Sequence, residues 1–122
     1  MEDSKRILIV DDEDHIRLMI ESTLEDANVD PVNLLEARDG DEALSLIRSQ
    51  SPDLVITDVL MPGLDGFSLV SLVKSNPLTS HIPCIILTVL DDAPQGYRAG
   101  ADVFLSKPID HDDLLNTILN LL

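Results

Sequence analysis

Five short aliphatic runs, each followed by a longer stretch with helical spacing, organise this sequence of 122 residues. Arg6–Val10, Val32–Ala37, Leu54–Thr57, Cys84–Leu87 and Val103–Leu105 read as strands, and several are apolar throughout. A strand with one wet face alternates apolar and polar residues, whereas a strand covered on both faces has no reason to. The intervening apolar residues recur at helical spacing: Ile16, Met19, Ile20, Leu24 and Ala27, then Ala43, Leu44 and Ile47, then Phe67, Val70 and Val73. A last set, Leu114, Leu115, Ile118, Leu119 and Leu122, closes the chain. Such alternation predicts an α/β fold, a doubly wound five-stranded parallel sheet with helices on both faces. Asp14, Asp65 and Asp110 stand where helices start, and Asn28, Pro52 and Gly63 punctuate loops. One segment is irregular: DDAPQGYRAGA places Pro94, Gly96 and Gly100 where the fourth helix belongs, so that helix is expected to be short or irregular. A weak helix compensated by its neighbours and a functional departure explain this equally well.

Composition narrows the function classes. The length fits one domain over residues 1–122. A net charge of −15, with only eight Lys and Arg, argues against direct nucleic-acid binding and favours cationic partners. The single cysteine, Cys84, excludes an intrachain disulfide and suits a reducing compartment. The start MEDSKR lacks the basic, then apolar, pattern of a signal peptide, and no apolar run reaches membrane-spanning length. A soluble cytoplasmic protein is expected. Cys84, His15, His81 and His111 have no metal-ligand spacing and read as structural or surface residues.

Polar residues collect at the strand ends. Asp11 and Asp12 follow the first strand, Asp58 the third, Thr88 the fourth and Lys107 the fifth. In an open α/β sheet ligands bind outside the carboxyl ends of the strands, where strand order reverses. With order 2-1-3-4-5 that crevice lies between strands one and three and brings Asp11 and Asp12 near Asp58. Three converging carboxylates repel unless a cation offsets them, and hard oxygen ligands with room for water suit magnesium. Within the acidic quartet Asp11–Asp14, Asp14 reads as the cap of the first helix and Glu13 as a solvated neighbour.

ILIVDDED, ITDVLMPGLDG, ILTVL and AGADVFLSKP, in this order and spacing, resemble the receiver domain of two-component response regulators, over essentially the whole chain. The resemblance implies a flavodoxin-like (βα)5 fold. It makes Asp58 the phosphoacceptor, charged by phosphohistidine of a sensor histidine kinase or histidine phosphotransfer protein, or by a small phosphodonor. Asp12 would ligate Mg2+ directly and Asp11 largely through water. Asp58 and the backbone carbonyl of Leu60 would complete the protein ligands, and Mn2+ is a possible substitute. Thr88, the backbone of Val89 and Lys107 would contact the phosphoryl oxygens. Lys107–Pro108 would be a cis peptide, and Thr88 with Phe104 would form the switch pair. Phe104 reads almost equally as one of three aromatics filling the core. The implied protein is no enzyme beyond its own phosphorylation and dephosphorylation, a monomer or weak dimer with an unknown output partner, and no binder of membrane.

Three departures from the family pattern bear on mechanism. Val89 is larger than the usual residue and would narrow access to the site. Leu60 and Leu90, two residues beyond Asp58 and Thr88, are apolar and would hinder attacking water. The stretch from Thr88 to Lys107 is about one helical turn short, which puts the usual dimer mode in doubt. Two other functions compete. A haloacid-dehalogenase-type phosphatase also uses a strand-end Asp, but needs a second acid where this chain has Leu60. A phosphate-independent interaction module is kept open by Val89 and the altered fourth helix.

Overall fold

The computed structural model describes residues 5–122; Met1–Ser4, part of the acidic start read against a signal peptide, lie outside them. Five strands, β1 (Ile7–Val10), β2 (Leu34–Ala37), β3 (Leu54–Thr57), β4 (Cys84–Thr88) and β5 (Val103–Ser106), alternate with helices. The helices are α1 (Asp14–Asp26), α2 (Gly40–Gln50), α3 (Gly66–Ser75), α4 (Ala93–Ala99) and α5 (His111–Leu121). All strand pairs are parallel, in the order β2-β1-β3-β4-β5. This is the doubly wound sheet that the apolar runs predicted.

Each strand feeds both faces, because successive side chains point to opposite sides. Ile7 and Ile9 of β1 join Ile20 and Leu24 of α1 and Leu114 and Ile118 of α5 in one core. Leu8 and Val10 join Ala43 and Ile47 of α2 and Leu69, Val70 and Val73 of α3 in the other. Leu8, Ile9, Ile47, Leu69 and Ile118 are wholly buried, each worth about 1.5–3 kcal/mol in water exclusion. Among the described residues, no helix is long and apolar enough to cross a membrane.

Four helices start on an aspartate whose carboxylate accepts the N–H three residues on: Asp39 from Glu42, Asp65 from Ser68, Asp92 from Gln95 and Asp110 from Asp113. The expected cap at Asp14 is corrected. Glu13 is the extended residue before α1 and makes no side-chain cap, while Asp14 is the first helical residue. Its carboxylate pairs instead with Arg17, a buried guanidinium that needs an acid. The second strand also begins later than expected, because Pro31–Asn33 form a 3-10 turn capped by Asp30 and leave Val32 exposed. Met19 and Leu119, read as part of their helices' apolar stripes, face outward. The fourth helix is short, with seven residues, Pro94 in its first turn and Gly100 ending it at φ 110°.

Two glycines let helices close against the loop after β3. A Cβ on Gly66 would lie 2.1 Å from the carbonyl oxygen of Asp58, and one on Gly40 would lie 2.2 Å from that of Leu64. Both obstacles are backbone, which cannot swing aside. Gly66→Ala is therefore expected to cost about 1–3 kcal/mol, as overpacking does, read as a lower urea midpoint.

Glu21 of α1 faces Glu36 of β2, and hydrogen bonding toward that carboxyl group, then burial, pushes the Glu21 carboxyl up to about 7 from its ordinary 4.5. The folded protein thus keeps a proton that the unfolded chain releases, so this pair's contribution to stability falls as pH rises from about 4.5 to about 7. Glu21→Gln, which keeps a donor at every pH, is expected to flatten the fall in unfolding temperature across that window; an unchanged slope would contradict the retained proton.

Candidate functional site

The parallel ladder runs one residue past several strands and fixes the site's backbone. The Asp11 N–H donates to the Ala37 carbonyl at 3.1 Å, that of Asp58 to Val10 at 2.9 Å and that of Lys107 to Thr88 at 2.9 Å. Asp11, Asp58 and Lys107 therefore leave the same edge of the sheet. Their side chains meet there. The Lys107 ammonium donates to Asp11 Oδ2 and to Asp58 Oδ2, both at 2.8 Å. Asp58 Oδ1 accepts the N–H groups of Val59 at 2.6 Å and Leu60 at 3.3 Å, and Asp11 Oδ1 accepts that of Glu13 at 2.9 Å.

All three charged side chains are nearly closed off from water, at 2–6% exposure. Burial of a carboxylate costs several kcal/mol unless donors and opposite charge replace the lost water. Here one ammonium and three backbone donors serve two carboxylates. Burial still pushes the Asp11 carboxyl up, and the Lys107 bond only partly reverses this. For Lys107 burial acts downward, but its hydrogen bonds to Asp11 and Asp58 outweigh this and leave the ammonium raised. Lys107 is charged at neutral pH.

Asp12 is exposed beside this pair. Carboxylate oxygens of Asp11, Asp12 and Glu13 lie within 4.8 Å of one another, a donor set of hard oxygens only. Such a set fits Mg2+ or Mn2+ and offers nothing to softer metals. Glu13 had read as an idle neighbour; the structure puts it in this cluster and 3.8 Å from the Lys107 ammonium. Its place beside two acids is a signal that the sequence did carry.

Thr88 is fully buried at the end of β4, and its hydroxyl accepts the Leu90 N–H at 3.3 Å. Val89 and Leu60 stand out at the rim, 65% and 51% exposed, with Leu90 half-buried. The Lys107–Pro108 peptide is cis. Phe104 is half-buried on β5 and packs on Gly96, where a Cβ would come within 2.7 Å of its ring. His111 pairs with Asp26 at 3.0 Å and Thr23 at 3.2 Å, and the Cys84 thiol is buried and pushed up to about 12 by desolvation, so neither adds a ligand here. Sequence reasoning missed Arg17 and Glu36, which pair across α1 and β2.

The sequence profile of the response regulator receiver domain matches residues 7–119. The response regulator PleD of Caulobacter vibrioides is 42% identical over 111 residues, which cover 88% of this chain and 24% of that protein. Protein PilH of Pseudomonas aeruginosa is 39% identical over 93% of both chains. The chain thus spans about a quarter of one relative and nearly all of another. The chemotaxis response regulator CheY4 of Vibrio cholerae superposes with a TM-score of 0.86 at 33% identity, over 97% of this chain and 98% of that one. The profile covers both ends of the sheet and every strand-end residue gathered at its carboxyl edge, so the chain belongs to the receiver domains of two-component response regulators.

Proposed function

We propose that this receiver takes a phosphoryl group onto Asp58 from phosphohistidine of a sensor histidine kinase or histidine phosphotransfer protein, and that the charged state is read by an output partner. The observation that carries this is the Lys107 ammonium, shared at 2.8 Å between Asp11 and Asp58 at the ligand-binding edge of the sheet. A carboxylate alone repels an anionic phosphoryl group. Phosphoryl transfer passes through a loose, in-line transition state, so its catalysis is mostly positioning and charge neutralisation. The Val59 and Leu60 amides hold Asp58 Oδ1 in place. An Asp58 oxygen forms the new P–O bond as the donor's P–N bond breaks and its imidazole leaves. Lys107, already beside Asp58, moves its charge onto the phosphoryl oxygens. The Thr88 hydroxyl uses only its acceptor side, toward Leu90, and keeps a proton to donate to the same group, beside the Val89 backbone. Asp11, Asp12, Asp58 and the Leu60 carbonyl would hold Mg2+, or Mn2+ in its place, which supplies the remaining neutralising charge when bound.

Asp58→Asn is expected to abolish phosphorylation by acetyl phosphate and the amide shift changes that beryllofluoride with Mg2+ produces in the wild type. Failure of the wild type to respond would favour a phosphate-independent interaction module, and turnover of a phosphate ester would favour a phosphatase. Leu60 and Leu90, each two residues beyond a site residue on a different loop, shield the acceptor from water. The double variant Leu60→Asn, Leu90→Glu is expected to shorten the phosphorylated lifetime severalfold, read as phosphate release; an unchanged rate would remove the shielding role.

A further inference from the structure

Arg17 is buried at 6% exposure although it carries a full charge. A guanidinium is tolerated there only if its nitrogens find acceptors. Each finds one on a different element. Nε donates to Glu36 of β2 at 2.9 Å, one terminal nitrogen to Asp14 at the start of α1, and the other to the backbone carbonyl of Asp11 at 2.7 Å. The two acids are not equivalent to the carbonyl. The Asp14 and Glu36 side chains are 77% and 40% exposed, and ion pairs with wet partners contribute little. The bond to Asp11 is the buried one.

That carbonyl belongs to the peptide unit joining Asp11 to Asp12. Because the unit is planar, fixing its oxygen also fixes the Asp12 N–H and the direction in which Asp12 leaves the strand. Every other polar group of Asp11 is also held: its N–H by Ala37, Oδ1 by Glu13 and Oδ2 by Lys107. Asp12 is exposed, and among the described residues its side chain has no such set of restraints. We infer that Arg17 is a positioning residue for the divalent-ion site, acting through the Asp11–Asp12 peptide to aim the Asp12 carboxylate. This rests on the phosphoryl-acceptor reading of the site. A lysine cannot replace the guanidinium, since one ammonium does not reach three acceptors spread over a strand, a loop and a helix.

Three variants of the whole chain separate this role from a plain tether between α1 and β2: Arg17→Lys, Arg17→Ala, and Glu36→Gln, which weakens the tether and leaves the Asp11 contact. Mg2+ and Mn2+ affinity is measured by calorimetry, the Asp12 amide shift in ion-free protein by NMR, and folding by thermal unfolding without ion. Arg17→Lys, which keeps the charge and the aliphatic stem, is expected to weaken ion binding about tenfold or more, as loss of a ligand-orienting partner does, and to move the Asp12 amide. Glu36→Gln is expected to leave both near wild type. Unchanged ion affinity in folded Arg17→Lys overturns the inference, and so does an equal loss in Arg17→Lys and Glu36→Gln, which is the signature of a tether. A wild type that binds neither ion sinks the phosphoryl-acceptor reading itself and the inference with it; a wild type that binds, with indifferent Arg17 variants, sinks the inference alone.

Discussion

Two carboxylates and one ammonium, packed at the carboxyl edge of the sheet and almost without water, set the requirement that the rest of the chain meets. Asp11 and Asp58 are neighbours because β1 and β3 pair in register, Val10 beside Thr57, and each strand hands its next residue to the same edge. Lys107 comes from β5, with β4 between it and β3. At about 4.8 Å per strand, that is roughly 10 Å of sheet to cross. A long, flexible stem ending in a compact charge suits the task, and burial of the stem leaves the ammonium little freedom. Removal of the lysine would leave two buried like charges facing each other, so the site and the local fold depend on one ion triad.

The backing of this triad is rigid for a steric reason. Gly66 lets the first turn of α3 press against the Asp58 carbonyl, and Gly40 lets α2 press against the Leu64 carbonyl in the same loop. The acceptor loop is held by main chain touching main chain, and the Val59 N–H that fixes Asp58 Oδ1 is part of it. On the β1 side Arg17 does the corresponding work with a side chain, its guanidinium donating to the Asp11 carbonyl at 2.7 Å.

What the sequence revealed follows from which contacts are local. Strand-end residues were readable because adjacency to an apolar run fixes their position: Asp11, Asp58, Thr88 and Lys107 all lie at one edge. The resemblance then supplied roles that spacing alone does not. Asp14 was misread because a cap is a local signal, whereas the Arg17 partnership that claims its carboxylate also draws on β2. Glu36 was hidden inside the run Val32–Ala37, where an edge strand meets a charged helix face. Val32 looked like strand until Pro31 and Asp30 built a turn across it. Such residues are decided by distant elements, which no window of sequence contains.

The short fourth helix takes its meaning from Phe104. Seven residues close only about three internal backbone bonds, too few for α4 to stand without outside contacts. It finds them on α3 and on the outer edge of β5. The Tyr97 hydroxyl accepts the Phe104 N–H at 3.2 Å, a donor that the edge strand would otherwise leave to water. One residue earlier, Gly96 offers no side chain, and the Phe104 ring fills that space. Glycine here weakens the helix by itself and strengthens its seat, so packing by neighbours offsets part of what DDAPQGYRAGA costs the helix. The ring and the main-chain N–H of one β5 residue thus both meet α4, while the helix's other side rests on α3.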